Sequence, residues 1–171
     1  MAKLHLIEGP VGAGKSTYAF KLGLEQRTPV LVLDDWMARL FSPDRPDEGV
    51  MEWYGERKER CIEQIWVVTT ELLERGIDVI LELGLVQRRQ RWAFYERLES
   101  ADIAYAVHVL DAPRDIRRER VKHRNIEQGA TFSMVVPDAI FELASDFWEP
   151  PDELECEGRD MQFPTTISLM T

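Results

Sequence analysis

Apolar positions along the chain gather into short, nearly unbroken runs separated by longer stretches of helical spacing. Leu4 to Glu8, Val30 to Leu33, Val79 to Leu83 and Tyr105 to Leu110 are the short runs, and they read as strands. Strands that are apolar on both sides need cover on both faces, which predicts a mostly parallel sheet flanked by helices. Ser16 to Gln26, Met51 to Arg75, Arg88 to Glu99, Arg114 to His123 and Pro137 to Trp148 carry the helical pattern. Met161 to Leu169 is expected to add a fifth strand, at an edge, because Pro164 has no N–H to give a central ladder. Ser42 to Val50 and Asn125 to Pro137 read as loops. Loops beyond the C-terminal ends of such strands are where an open parallel sheet places its ligands.

Composition narrows the class. A chain of 171 residues, 44% apolar and 30% charged, is expected to form one globular domain over 1–171. No apolar run approaches the roughly 20 residues of a spanning helix, and the N-terminus passes straight into a strand. No membrane association and a cytoplasmic location are therefore expected. Cys61 and Cys156 stand far apart with no clustered Cys or His, as two reduced thiols would. A net charge of −10 argues against holding long nucleic acid by phosphate contact. Two local basic clusters remain, Arg88, Arg89 and Arg91, and Arg114 through Arg124.

Directly after the first strand stands Gly9-Pro10-Val11-Gly12-Ala13-Gly14-Lys15-Ser16, a full match to the phosphate-binding pattern between a strand and a helix. Gly9, Gly12 and Gly14 allow the backbone N–H groups to turn inward around phosphates, with Ala13 among them. The helix that follows offers its positive end to an anion. Lys15 is expected to reach the β- and γ-phosphates of ATP, Ser16 to ligate Mg²⁺, and Thr17 to support the first helical turn.

Phosphoryl transfer also needs a group to orient or deprotonate an acceptor. The second strand runs into Asp34-Asp35, a carboxylate pair expected at its tip and facing the phosphate loop. Asp34 is the candidate base, although helix capping would also suit it. Glu82, ending the third strand, could support Mg²⁺ or pair with an arginine. Arg117, Arg120 and Arg124 share one helical face at i, i+3 and i+7, where guanidinium groups could neutralise a moving phosphoryl group or form a solvated basic face. Asp35, Trp36, Arg39 and Arg88, with Arg91 nearby, lie on the expected acceptor side, where the arginines could bind an anionic substrate. Trp36, Trp53 and Trp92 could wall its pocket, whereas Trp66 reads as core. His5 and His108, inside strands, read as structural.

Together with the phosphate loop, Leu33-Asp34-Asp35-Trp36-Met37-Ala38-Arg39-Leu40, the strand end Glu82-Leu83-Gly84, Arg120-Val121-Lys122-His123-Arg124-Asn125 and Phe147-Trp148-Glu149-Pro150-Pro151-Asp152-Glu153 carry a family likeness. The chain resembles the small bacterial P-loop kinase-like proteins often labelled AAA-family ATPases, related to zeta-toxin kinases, chloramphenicol phosphotransferase and phage polynucleotide kinase. The resemblance runs from Leu4 to about Glu153. It implies a three-layer P-loop NTPase of the nucleotide-kinase kind, Asp34 as base, and Arg120 and Arg124 on a lid at about 114–137. Similar proteins usually have Asp where Glu82 stands. The arginine that binds an acceptor phosphate in polynucleotide kinases falls at Met37, with Arg39 following later. The expectation is thus transfer from Mg·ATP to a hydroxyl of a small molecule. The alternatives are a nucleotide-dependent binding module or slow ATPase, and, more remotely, a polynucleotide 5′-hydroxyl kinase.

Overall fold

The computed structural model describes residues 1–129, 132 and 134–165. Its elements in chain order are β1 (Leu4–Glu8), α1 (Lys15–Gln26), β2 (Val30–Val32), α2 (Leu33–Leu40), a 3₁₀ turn (Ser42–Asp44), α3 (Val50–Glu74), β3 (Val79–Glu82), α4 (Arg88–Ser100), β4 (Tyr105–Val109), α5 (Arg114–Glu127), α6 (Asp138–Asp146), α7 (Glu153–Cys156) and β5 (Met161–Gln162). Among the described residues the sheet has five strands in the order β2-β3-β1-β4-β5. Every pairing is parallel, so the α/β sandwich expected from the apolar runs is the fold. Strand β1 lies between β3 and β4, the place where successive crossovers part to opposite sides and open a crevice at the strands' C-terminal ends.

Period-two alternation divides the core. Leu4 and Leu6 of β1, Val79 and Leu81 of β3 and Val107 and Val109 of β4 pack with Leu33 and Met37 of α2, Cys61 and Ile65 of α3, and Phe94, Tyr95 and Leu98 of α4. Ile7 and Ile80 point the other way, toward Ala13, Ala19 and Leu110. Helices cover both faces, as near-continuous apolar strands require. No described helix is long and apolar enough to cross a membrane.

Two boundaries differ from expectation for a physical reason. Leu33 is not the end of β2 but the first residue of α2, because Leu33, Trp36 and Met37 at i, i+3 and i+4 form an apolar helical face on the core. Asp34 and Asp35 therefore lie in the first turn of a helix, where its dipole favours carboxylates, and the strand leads into it without a loop. The last strand is only Met161–Gln162, paired with β4 at an edge; residues 166–169 of the longer expected strand lie outside the described residues.

Both cysteines are free. His5 and His108 are buried between strands, with His5 Nδ1 2.9 Å from His108 Nε2 and Tyr18 Oη 2.8 Å from His108 Nδ1. Trp66 packs edge-on to Phe94, centroids 5.9 Å apart, at the margin of the core.

Candidate functional site

The phosphate loop is shaped by two close backbone approaches. Gly9 has φ 146°, and a Cβ there would sit 2.1 Å from the Leu110 carbonyl oxygen. Gly12 has φ 78°, and a Cβ there would meet the Arg117 carbonyl oxygen at 2.6 Å. Only glycine fits either position. Gly14 then enters α1 in the left-handed conformation, with no side-chain cap on the helix and no acidic residue in its first turn. The positive helix end is thus uncapped by any side chain and suited to an anion.

Three residues meet at the tip of β3. Lys15 Nζ donates to the Pro10 carbonyl at 3.1 Å and reaches Glu82 Oε1 at 4.0 Å. Ser16 Oγ donates to Glu82 Oε2 at 3.2 Å. Glu82 is almost fully buried, and burial pushes its carboxyl above the ordinary range; Lys15 and the hydrogen bonds from Ser16 and the Gly84 backbone pull it back, while Asp34 adds to the rise. Among the described residues no three His, Cys, Asp or Glu side chains converge as a metal cage. One hydroxyl beside one carboxylate at a phosphate loop instead suits Mg²⁺, which takes most of its oxygens from phosphates and water.

The structure brings Asp34 to this centre. It is exposed on the first turn of α2 and acts electrostatically on Glu82, Tyr54, Lys58 and Arg124. Arg124, from α5, is influenced by both Asp34 and Glu82, and burial lowers its pKa; its Nε is buried without a hydrogen-bond partner among the described residues. A guanidinium held so is ready for a further anion.

The rest of the arginine face divides. Arg117 is buried and structural: Nε donates to the Ala112 carbonyl at 2.9 Å, and Nη1 to the Val11 carbonyl at 3.0 Å and Ser145 Oγ at 3.1 Å. It fastens α5 and α6 to the phosphate loop. Arg114 and Arg118 are paired with Glu142 of α6, and Arg114 also with Asp146. Arg120 is half-buried, one turn from Arg124 on α5.

On the expected acceptor side the candidates separate too. Asp35 is half-buried, Trp36 packs on the core margin, and Arg39 is exposed in the last turn of α2. Arg88 is engaged with the closing motif: its N–H donates to Glu149 Oε2 at 2.6 Å and its guanidinium pairs with Asp152 at 2.9 Å. Arg91 is fully buried and bidentate to Glu155 at 2.7 and 2.8 Å, so it holds the fold and not a substrate. Trp53 lies under Arg57 (4.6 Å), and Trp92 is flanked by Arg159 (4.5 Å) and Arg88 (5.8 Å).

Tyr54 and Lys58 were missed from sequence. They lie on α3 at i and i+4, continuing the stripe of Cys61, Ile65 and Thr69 that faces the core. A lysine on a core-facing stripe was the available signal. Burial pushes the Tyr54 phenol up and the Lys58 ammonium down, with Asp34 as the largest charge influence on each.

A parallel sheet with this strand order, carrying a glycine-rich phosphate loop after its central strand and an acidic residue at the tip of the neighbouring one, defines a P-loop kinase-like protein. The chain belongs to the AAA domain family, which it matches over residues 4–151. In fold it is similar to a candidate kinase from Chloroflexus aurantiacus J-10-fl, with TM-score 0.73 and 22% identity, over 96% of this chain and 85% of that one. A sugar kinase from Janibacter sp. HTCC2649 superposes with TM-score 0.63 and 13% identity, over 97% and 86% of the two chains. A chain of the Pnkp1/Rnl/Hen1 RNA repair complex gives TM-score 0.62 and 21% identity over 85% of this chain, which spans 43% of that one. At these identities the likeness is one of fold. No curated protein matches the chain in sequence.

Proposed function

We propose that this chain is an ATP-dependent phosphotransferase that moves the γ-phosphate of Mg·ATP to a hydroxyl of a small molecule in the cytoplasm. The observation that carries the reading is Asp34: an exposed carboxylate from a separate helix, set beside the Lys15–Ser16–Glu82 cluster and hydrogen-bonded to none of it. The helix dipole alone favours an acidic residue in the first turn of α2, but phosphoryl transfer adds a use for a carboxylate facing the phosphate site.

The loop amides from Gly9 to Thr17, with Lys15, would hold the phosphates, and Ser16 with Glu82 would hold Mg²⁺, which spreads the charge of the phosphate oxygens. Asp34 orients the acceptor hydroxyl and takes its proton. The acceptor oxygen then bonds to the γ-phosphorus as the bond from that phosphorus to the β–γ bridging oxygen breaks, and ADP leaves. Arg124, with Arg120 beside it on α5, neutralises charge on the transferring group. We treat residues of about 114–137 as the lid of a single domain spanning 1–171; within it, 130, 131 and 133 lie outside the described residues. A nucleic-acid end is disfavoured by the net charge of −10 and because Arg114 and Arg118 are already paired with Glu142 of α6.

Asp34→Asn tests the reading. With labelled ATP and a metabolite extract, transfer to organic acceptors should fall on the order of 100-fold or more while ATP affinity is kept. Transfer at full rate in the variant would remove Asp34 as the base. Release of inorganic phosphate alone from the unaltered protein, with every acceptor unlabelled, would favour the slow ATPase or binding module.

A further inference from the structure

Once the phosphate-side and base-side roles are distributed, one cation at the centre is left over among the described residues. Lys15 is committed to the loop and Glu82, and Arg124 faces the same centre from α5. Lys58 approaches from α3, half-buried, with Asp34 and Glu82 as its charge influences and neither within ion-pairing contact among the described residues. A desolvated ammonium without a contact partner is unfavourable in the free protein. The next two positions of the same stripe, Cys61 and Ile65, are buried and apolar. One turn earlier stands Tyr54, whose hydroxyl is influenced by Asp34 and Glu82 as well. Burial keeps that phenol protonated, so it is a standing hydrogen-bond donor.

Resting on the phosphotransferase reading, we propose that Lys58 and Tyr54 form an anion subsite of the acceptor pocket, so that the acceptor carries a carboxylate or phosphate near the hydroxyl presented to Asp34. Lys58 supplies the counter-charge and Tyr54 an O–H donor, and they are specificity residues, apart from the transfer step. α3 packs on the core from Tyr54 to Leu73, which makes it a firm mount for such a pair. The arrangement orients the acceptor by its charged end and leaves its hydroxyl toward the phosphate loop.

The experiment compares matched acceptors with labelled ATP: gluconate and glycerate as carboxylates, glucose 6-phosphate and glycerol 3-phosphate as phosphates, glucose and glycerol as neutral controls. One anionic arm should exceed its neutral partners in kcat/KM, and which arm does so identifies the anion. For that acceptor Lys58→Met should raise KM roughly 10- to 100-fold with the KM for ATP unchanged, since a charge-assisted contact is lost, and Lys58→Arg should recover much of it. Because the change removes a desolvated charge, the unfolding midpoint of Lys58→Met should be equal or higher, whereas a structural lysine would lower it. Neutral acceptors used as well as or better than anionic ones would overturn the subsite and leave the phosphotransferase standing. An equal KM change for charged and neutral acceptors, or a change in the KM for ATP alone, would also overturn it. No labelled acceptor in any arm would remove the phosphotransferase reading and this inference with it.

Discussion

At the scale of single residues the centre is governed by what has been taken out of water. Glu82 is buried, accepts from Ser16 and has the Lys15 ammonium at 4.0 Å, so once Lys15 turns to the phosphates its charge needs another cation. Glu82→Gln keeps the shape and an oxygen for Ser16 but removes that charge. The affinity gain that Mg²⁺ gives ATP should shrink about 10-fold or more, read as the ratio of ATP Kd with and without chelator; an unchanged ratio would exclude Glu82 from metal support. Gly12 poses the steric version of the same dependence. Gly12→Ala puts a Cβ into the Arg117 carbonyl at positive φ, a strain of about 1–3 kcal/mol, so the midpoint should fall on the order of 3–10 °C and ATP binding should weaken as the loop opens. Wild-type melting would show that the loop yields instead.

Among the elements, the segment after α6 binds α4 to the sheet edge. Glu149 accepts from the first N–H of α4, Asp152 pairs with Arg88, and Glu155 holds Arg91 in a site closed to solvent. Glu8, at the end of β1, lies 3.7 Å from Arg91 Nε and accepts from Tyr95 Oη at 2.8 Å. The closing motif therefore acts on the strand that launches the phosphate loop. Arg91→Met strands the buried Glu155 carboxylate, and removing one partner of such a pair costs about 3–5 kcal/mol. Urea unfolding should show that loss, and Arg91→Met with Glu155→Met together should return part of it. A double variant no more stable than the single one would mean the network is not coupled.

These elements also show what could be read from the chain and what could not. The phosphate loop was legible because glycines at fixed spacing answer a local backbone demand, as Gly9 and Gly12 do against Leu110 and Arg117. The strands were legible because burial on both faces leaves unbroken apolar runs. Leu33 was misassigned since four alternating β-prone residues outweigh a helix face that only tertiary packing reveals. The arginine face was half legible. Helical spacing groups Arg117 with Arg124, but periodicity does not tell a guanidinium spent on the Val11 carbonyl from one influenced by Asp34. Tyr54 and Lys58 escaped because their meaning depends on α3 passing over Asp34, a contact between segments about twenty residues apart in sequence.

For the molecule as a whole, the buried titratable groups set opposite slopes of stability against pH. Burial, with His5 adding, depresses His108 from 6.5 to about 4. Between those values the unfolded chain holds more protons, so this group adds stability as pH rises from about 4 to 6.5 and loses it on acidification. Burial raises Glu8 from 4.5 to about 8, outweighing the Tyr95 hydrogen bond and the attraction of Arg91, whose guanidinium is already committed to Glu155. Here the folded chain holds the extra proton, so the contribution is full below 4.5 and is lost as pH rises to about 8. The two slopes oppose one another up to 6.5, and above it Glu8 acts without the histidine. Urea midpoints of the wild type should therefore decline from pH 6.5 to 8. Glu8→Gln should make that decline shallower, while His108→Gln should remove much of the rise between pH 4 and 6.5 and leave the alkaline side unchanged. Parallel profiles for wild type and Glu8→Gln above pH 6.5 would mean that Glu8 is charged in the folded protein at neutral pH, with Arg91 serving both carboxylates.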